Sequence, residues 1–407
     1  MSKLPRTAKL FGFVSLLNDF ASEMIYPLLP AFVTGVLGGG AVSLGTLDGA
    51  ADLTSALVKY RAGRLSDDPE RRGTLVILGY AVAVLVRPVI ALAGAAWEVI
   101  GLRVTDRIGK GIRSPARDAM IADATPAELH GRAFGLQRGL DHIGAILGPL
   151  VAWWLLQSKT LDLRGVIGAS IVPGVLVLVL AVWAVRSVGD GRRRQETEGV
   201  NAPDGPPPTP TDPYRPLLSS PTVPYRLLPA PIIAISFFYL LRMPETLMLL
   251  HTQRLGVTVT SVLLLWAALH VVRSSTSFIG GELSDRIGPG RTMWTGWLCY
   301  AAVAFGFARA HSPAAAWALF LVFGVVAGLT ESPERAIVSR LAGGKQGTGF
   351  GVYYAATGVA ALAGGVLLGL ATRYCGASWA FGASALLGVV VALAWLVVAR
   401  RGAVAGG

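Results

Sequence analysis

Long apolar runs follow one another along almost the whole chain, and short polar stretches separate them. Each run is continuous over roughly 20 residues, which predicts a membrane-spanning helix, since a barrel strand is about half as long and alternates. Lipid offers no partner to a backbone N–H or C=O, so helices satisfy such runs and the predicted fold class is an all-α integral membrane protein. We predict twelve helical spans, at residues 10–37, 43–65, 73–95, 97–122, 131–157, 164–186, 229–252, 257–283, 290–310, 313–341, 347–373 and 376–400.

One long polar stretch, residues 187–228, interrupts this series between the sixth and seventh spans. It holds three consecutive arginines, Arg192 to Arg194, and the proline-rich run 206–210. A segment of this composition buries too little apolar surface to fold, so we predict a flexible linker. The chain is therefore expected to divide into one six-helix bundle at 1–186 and a second at 229–407.

The two halves carry related motifs. The segment Gly63-Arg64-Leu65-Ser66-Asp67 reappears as Gly281-Glu282-Leu283-Ser284-Asp285, 218 positions later. At the same offset, Pro115 and Arg117 recur as Pro333 and Arg335. Two related hydrophobic halves are typical of a secondary transporter, which holds its substrate between the halves near the bilayer midplane. We therefore expect the partners to be a small-molecule substrate, charged or uncharged, and the lipid bilayer.

Composition supports the membrane assignment and limits the other partners. The chain is 53% hydrophobic and only 15% charged, whereas soluble domains carry about 25% charged residues. The net charge of +12 does not call for nucleic acid, because the basic residues gather in the connections on one side of the predicted helices. By the positive-inside rule, that side, with both termini and the linker, is predicted to be cytoplasmic. Cys299 and Cys375 are too few and too separated for a disulfide framework or a metal cluster.

Ionisable residues inside the predicted spans are the candidates for function, because placing one in a bilayer costs about 2.5–3.5 kcal/mol on insertion scales. In the first span Asp19 and Glu23 are four residues apart and share a helix face, with Asn18 and Tyr26 nearby. Two carboxylates this close do not both ionise easily, which suits proton coupling. The alternative is that each carboxylate pairs with a neighbouring arginine.

Spans two and five carry further candidates. In span two, Asp52 and Lys59 lie deep and either form an ion pair or contribute to the site, whereas Asp48 lies near the outer end, where water can solvate it. In span five, Asp141 adjoins His142. Histidine titrates near neutral pH, which suits a proton relay, but a membrane histidine also serves as a hydrogen-bonded packing residue.

Span four has the highest density of charge. Arg103, Asp106 and Arg107 fall near its middle. The planar guanidinium suits carboxylates, so two uses compete: salt bridges to Asp19 and Glu23, or capture of an anionic substrate. Residues nearer the end of the span are expected at the cytoplasmic rim, where charge is normal: Arg113, Arg117 and Asp118.

The second half contributes its own charged positions. Arg242 and Glu245 flank Pro244 in span seven, where the proline permits bending, and His270 and Arg273 share a face of span eight. The candidate substrate-binding or proton-coupling residues are therefore Asn18, Asp19, Glu23, Tyr26, Asp52, Lys59, Arg103, Asp106, Arg107, Asp141, His142, Arg242, Glu245, His270 and Arg273.

At these motifs the chain resembles the major facilitator superfamily. The family's loop motif between helices two and three reads roughly Gly-x-x-x-Asp-Arg-x-Gly-Arg-Arg. The second copy here fits it through Gly281, Asp285, Arg286 and Gly288, whereas the first keeps only Gly63 and Asp67. The resemblance implies two pseudo-symmetric six-helix bundles, alternating access, a monomer, and transport driven by a proton or other ion gradient with no cofactor.

A motif on span five is similar to that of the family's antiporters, Gly-x8-Gly-x3-Gly-Pro-x2-Gly-Gly. Four positions match it, Gly135, Gly144, Gly148 and Pro149, while Ala152 and Trp153 replace the last two glycines. The run 106–113 further resembles a bacterial group of permeases, which implies the bacterial inner membrane. The resemblance assigns gating to Gly63, Asp67, Arg117, Gly135, Gly144, Gly148, Pro149, Gly281, Asp285, Arg286, Glu331 and Arg335.

The preferred function is proton-coupled export, by antiport, of a small organic molecule. The alternative is uptake or symport of an organic anion, which Arg103, Arg107 and Arg242 favour. A membrane enzyme or sensor on the same scaffold is a remote alternative. The sequence has no phosphate-binding loop and no His-Glu-x-x-His metal spacing, so we expect neither enzymatic activity nor a cofactor.

Overall fold

A computed structural model describes residues 4–66, 68–125, 130–197, 230–342 and 346–404. Within these residues the chain is helical in twelve spans, as the apolar runs predict. In the first half they are α1 (Arg6–Glu23, continued by short turns to Val36), α2 (Ala41–Leu65), α3 (Pro69–Val89), α4 (Ala96–Asp123), α5 (His130–Gln157) and α6 (Leu163–Ala169 and Ile171–Thr197). In the second half they are α7 (Ala230–Leu241 and Glu245–Arg254), α8 (Val259–Ile287), α9 (Pro289–Arg309), α10 (Pro313–Ala342), α11 (Gln346–Tyr374) and α12 (Ala377–Val404).

The predicted spans and the observed helices agree at most of their ends. One difference is that α6 continues to Thr197, into the segment predicted as linker, whose residues 198–229 lie outside the described part of the chain. Another is that the first span is interrupted. Its regular helix ends at Glu23, and Pro27 and Pro30 follow in short turns because proline lacks the N–H that a continuing helix needs.

Within the described ranges, eight helices are long and apolar enough to cross a membrane. The spans α1, α2, α4 and α9 fall outside this set. The first three carry the mid-span charges noted above, which lower their hydropathy. The charged side chains of α1, α2 and α4 therefore need polar surroundings inside the protein. We expect the functional site to lie where the charged faces of these helices meet.

The helices of the two halves pack in the same pattern. In the first half α1 packs on α5, α2 and α3 on α4, and α3 on α6. In the second half α7 packs on α11, α8 and α9 on α10, and α9 on α12. The halves meet along two further seams, α2 against α11 and α5 against α8. The molecule thus consists of two pseudo-symmetric bundles.

Glycines allow the closest of these approaches. A Cβ atom on Gly45 of α2 would lie 1.9 Å from the carbonyl oxygen of Gly365 on α11, and a Cβ on Gly365 would lie 2.2 Å from that of Gly45. On α5, a Cβ at Gly144 would lie 2.1 Å from the carbonyl oxygen of Leu16 on α1. Backbones this close exclude any side chain, which is the use that membrane helices make of small residues.

The bundle has two ends. We call the end at which α1 begins and α12 ends the terminal side, and the opposite end the far side. The Gly45–Gly365 contact lies towards the far side, because α2 begins there and α11 ends there.

Candidate functional site

A cavity of about 420 Å³ lies between the two halves. It is walled by α1, α2 and α4 of the first half and by α7, α8, α10 and α11 of the second. Its position matches that of a substrate site held between repeats. The lining includes ten of the predicted site and gating residues, Glu23, Tyr26, Asp52, Arg103, Arg107, Arg242, Glu245, His270, Arg273 and Glu331.

A second, larger cavity of about 710 Å³ lies next to it on the terminal side. Lys110 lines both cavities, so the two adjoin. The charged residues of this terminal cavity are seven basic, Lys59, Arg64, Lys110, Arg113, Arg117, Arg138 and Arg335, against three acidic, Asp19, Asp118 and Asp141. Asn18 and Gly63 also line it.

A buried carboxylate organises the arginines of α4. Asp106 is fully buried, and its Oδ1 atom accepts a hydrogen bond of 2.9 Å from Nε of Arg87 on α3. Its Oδ2 atom lies 3.4 Å from Nη1 of Arg103 and 3.7 Å from Nε of Arg107. The hypothesis that Arg103 and Arg107 form salt bridges with Asp19 and Glu23 is therefore wrong. Asp106 lies beside both arginines on their own helix, accepts a hydrogen bond from Arg103 and forms an ion pair with Arg107 instead.

Two further arginines tie α4 and α3 to α1. Nη1 of Arg87 donates to the backbone oxygen of Asn18 at 3.0 Å, and Nη2 of Arg113 donates to the Oδ1 atom of Asn18 at 3.1 Å. Arg113 is 2% exposed, so its expected position at a solvated rim is wrong. Arg117 does reach the terminal cavity, where it bonds Asp118 at 2.8 Å.

The two carboxylates of α1 face different cavities. Asp19 lines the terminal cavity and accepts a hydrogen bond of 2.9 Å from Asn18. Glu23 lines the central cavity, and its Oε2 atom accepts a hydrogen bond of 2.9 Å from Nε1 of Trp266 on α8. Nε2 of His270 lies 3.8 Å from the same oxygen. Glu23 therefore links the first half to the second.

The histidines meet at the α5–α8 seam. The ring centroids of His142 and His270 are 6.4 Å apart. Elsewhere on α5, Oδ2 of Asp141 accepts a hydrogen bond of 2.7 Å from Nε2 of Gln137. His270 therefore lies near both Glu23 and His142, which brings three of the predicted substrate-binding or proton-coupling residues together across the interface.

Sequence reasoning missed the role of Asp48. Its Oδ1 atom accepts from the hydroxyl of Tyr26 at 3.0 Å, and its Oδ2 atom accepts from the backbone N–H and the hydroxyl of Thr246 at 3.1 and 2.8 Å. Thr246 follows the break in α7 at Pro244, where a new helix begins and its first N–H groups lack helical partners. Asp48 therefore joins the halves, whereas the sequence indicated only a position near the outer end of span two. The break at Pro244 was the one available signal.

The second half holds its own polar clusters. Glu245 accepts hydrogen bonds from Arg273 and, at 3.4 Å, from Arg242. Glu334, which is 1% exposed, accepts from the hydroxyls of Tyr239 at 3.1 Å and Tyr353 at 2.7 Å. The two tyrosines are a second set of residues that sequence reasoning missed, since neither stands in a charged motif.

The remaining predicted residues are more dispersed. Within the described ranges no salt bridge joins Asp52 to Lys59, and the Lys59 ammonium lies 5.6 Å from the ring centroid of Tyr354. Asp67 and the side chain of Asp285 lie outside the described part of the chain. The other gating candidates lie on helices: Gly135, Gly144, Gly148 and Pro149 on α5, Gly281 and Arg286 on α8, and Arg335 on α10.

Among the described residues no group of three or more His, Cys, Asp and Glu side chains is arranged to hold a metal ion. The central cavity is lined by hydrogen-bonding and ionic side chains.

Comparison with known proteins identifies the family. The sequence profile of the Major Facilitator Superfamily matches residues 11–354 and 276–405. An uncharacterized MFS-type transporter of Methanocaldococcus jannaschii is 28% identical over 372 residues, covering 90% of this chain and 88% of its own. Multidrug resistance protein MdtH of Photorhabdus laumondii subsp. laumondii is 26% identical over 147 residues, which is 36% of each chain.

Solved structures agree on the fold. A POT family transporter in complex with 5-aminolevulinic acid superposes with a TM-score of 0.75 at 11% identity, covering 98% of this chain and 96% of that one. The profile match, together with a fold of two six-helix bundles around a central cavity, shows that this chain belongs to the Major Facilitator Superfamily of secondary transporters.

Proposed function

We propose that this transporter is a proton-coupled antiporter that exports a small organic molecule by alternating access around the central cavity. The observation that carries the proposal is Glu23, a titratable carboxylate of the first half that is hydrogen-bonded to Trp266 of the second half inside that cavity. When the two halves rock apart on the far side, this bond must break. A proton on Glu23 would weaken the bond, so protonation and conformation are linked.

Among the described residues, Glu23 differs from Asp106 and Glu245 in having no arginine partner, and it differs from Asp48 and Glu334 in lying beside a histidine. Arginines neutralise Asp106 and Glu245, which holds both in the charged form. The one basic group recorded within 4 Å of Glu23 in the described residues is His270, at 3.8 Å, which is itself titratable. A carboxylate without a permanent cation can exchange its proton, as a coupling residue must.

The proposed direction and orientation rest on other features. Basic residues cluster at the terminal side, so the positive-inside rule makes it the cytoplasmic side of a bacterial inner membrane. The motif Gly144–Pro149 that resembles those of antiporters lies where α5 packs on α1, and a Cβ on Gly148 would lie 2.4 Å from the backbone oxygen of Phe20. This seam is one turn from Glu23. The partial likeness to a multidrug resistance protein also supports export.

The test uses purified protein in liposomes that contain a pH-sensitive dye. Succinate, glycerol 3-phosphate and tetraphenylphosphonium are added in turn under an imposed proton gradient. We expect a solute that the wild type carries to trigger proton movement. Glu23→Gln should abolish this movement, because glutamine can still accept the Trp266 bond but cannot bind a proton at neutral pH.

The matched control is Glu70→Gln, which removes a carboxylate from an exposed position in the first turn of α3. It should behave as wild type. Proton movement by Glu23→Gln at the wild-type rate would show that Glu23 is a structural hydrogen-bond acceptor and not the coupling group.

A further inference from the structure

Four buried nitrogen atoms around the central cavity have no hydrogen-bond partner among the described residues, and the two that belong to arginines are always donors. The four atoms are Nε of Arg103, Nε of Arg273, and both ring nitrogens of His270. All three residues line the cavity, and Arg103 is 5% exposed. A buried donor left without an acceptor is rare in proteins, so these groups indicate that something with acceptor atoms occupies this space during function.

The carboxylates of the same cavity do not share this shortage. Glu23, Asp48 and Glu245 each accept at least one hydrogen bond from a neighbouring side chain. Asp52 and Glu331 have no partner among the described residues, but both are exposed and water can solvate them. The two arginine nitrogens lack acceptors, whereas the carboxylates do not lack donors, which favours an anionic over a cationic cargo.

The arginine cluster behind the cavity adds positive charge. Asp106 is the one carboxylate within 4 Å of Arg87, Arg103 and Arg107 in the described residues. Arginine stays protonated in proteins, so these four side chains carry a net charge of about +2. Lys110, one turn further along α4, forms no ion pair within the described ranges. The charged lining of the whole cavity is balanced, because it also includes the carboxylates Glu23, Asp48, Asp52, Glu245 and Glu331. Its α4 wall is the part with an excess of positive charge, and this wall attracts anions.

A basic path leads from the terminal side to this wall. Arg103, Arg107, Lys110 and Arg117 recur at helical spacing along one stripe of α4 and extend over about 21 Å. Lys110 and Arg117 line the terminal cavity, whose charged lining is seven basic to three acidic residues. Clefts lined by one sign of charge concentrate solutes of the opposite sign.

From these observations we infer that the cargo is a small organic anion whose carboxylate or phosphate group binds between Arg103, Arg107 and Lys110 of α4 and the His270–Arg273 face of α8. This inference rests on the proposed transport function and specifies its substrate class. The anion supplies acceptors to Nε of Arg103 and of Arg273, and its charge offsets the excess of the arginine cluster. The volume of about 420 Å³ is within the usual range for small-molecule sites, about 300–1,000 Å³.

The experiment measures binding of radiolabelled succinate and glycerol 3-phosphate to the purified full-length protein, with tetraphenylphosphonium as the cationic probe. We expect at least one of the two anions to bind. Lys110→Gln should weaken that binding at least tenfold, because a charge-assisted hydrogen bond contributes more than the 1.4 kcal/mol to which about tenfold corresponds. Lys110 is chosen because it has no ion pair in the described structure, so its loss leaves no partner charge behind.

Arg61→Gln is the matched control, since Arg61 is an exposed basic residue of α2 outside both cavities. It should leave anion binding unchanged. The two acids separate the sources of the oxyanion: binding of succinate alone identifies a carboxylate cargo, and binding of glycerol 3-phosphate alone identifies a phosphate ester.

Binding of neither acid, or equal loss in Lys110→Gln and Arg61→Gln, would overturn the inference. Tetraphenylphosphonium binding and triggering proton movement, with both acids inert, would overturn it while leaving proton-coupled transport intact. Anion binding without any proton movement in liposomes would support the inferred substrate class and would refute the proposed proton coupling.

Discussion

Replacing Gly365 by alanine should open the far side of the transporter. The new Cβ would lie 2.2 Å from the carbonyl oxygen of Gly45, whereas ordinary contacts begin at 3.4 Å. The backbones of α2 and α11 must therefore separate by about 1.2 Å at this layer. Inserting a methyl group into a well-packed interior typically costs about 1–3 kcal/mol.

This cost falls on the state in which the far side is closed, because the seam between α2 and α11 exists in that state. The equilibrium between the two access states should therefore shift by about 5- to 150-fold towards far-side opening. In an unconstrained helix the same change would stabilise by about 0.5–1 kcal/mol, since alanine is the better helix former. The predicted sign thus depends on the contact and not on helix propensity.

The assay measures the distance between spin labels at the two far-side ends of the seam. Cys375, which is exposed and follows α11, carries one label, and Gly40→Cys, before α2, carries the other in a Cys299→Ser background. Gly40 is extended and has no atom near its Cβ position, so cysteine fits there. We expect the distance distribution of Gly365→Ala to gain a longer population.

The matched control is Gly101→Ala on α4, where a Cβ would meet nothing within 4 Å. It should leave the distances unchanged. If Gly365→Ala shows the wild-type distribution, or if Gly101→Ala shows the same lengthening, the reasoning from the Gly45–Gly365 contact is refuted.

Two further variants test the buried carboxylates. Asp106→Asn should lower stability by about 3–5 kcal/mol, because it leaves the buried guanidinium of Arg87 without its counter-charge; thermal unfolding in detergent measures this. Asp118→Asn is the comparison, since Asp118 is 46% exposed and its loss should cost at most about 1 kcal/mol, and equal effects of the two changes would contradict the assignment. Asp48→Asn should weaken far-side closure by about 1 kcal/mol, because an amide oxygen accepts the Thr246 bonds less strongly than a carboxylate. The same pair of spin labels would measure this change in closure. Unchanged distances would show that the Asp48–Thr246 bonds do not hold the far side closed.

The helices could be predicted because their cause is local. A continuous apolar run must form a helix in lipid whatever its neighbours are, so ten of the twelve predicted spans correspond closely to observed helical spans, the exceptions being the first and the sixth. The first span is also helical along its apolar run, but its regular helix ends at Glu23, before Pro27 and Pro30. The break in α7 at Pro244 was foreseen for the same reason, because proline disrupts a helix through its own chemistry.

The partners of the charged residues could not be predicted. Periodicity put Asp19 and Glu23 on one helix face, yet one turn of separation placed them in two different cavities. Likewise, the sequence suggested Asp19 and Glu23 as salt-bridge partners of Arg103 and Arg107 and did not single out Asp106. In the structure both arginines pair with Asp106, because Arg87 of α3 also binds this carboxylate and completes a buried cluster around it.

The sequence by itself determined the membrane class, the two related halves, and the set of charged side chains that the interior contains. These follow from composition, repeat and period, which act along the chain. Only the tertiary structure decided that Asp48 binds Thr246, 198 residues away, that Glu23 reaches Trp266, and that Gly45 faces Gly365. Such contacts depend on how far each helix is rotated and shifted against its neighbours. That rotation is set by the packing of all the helices together, which no local pattern records.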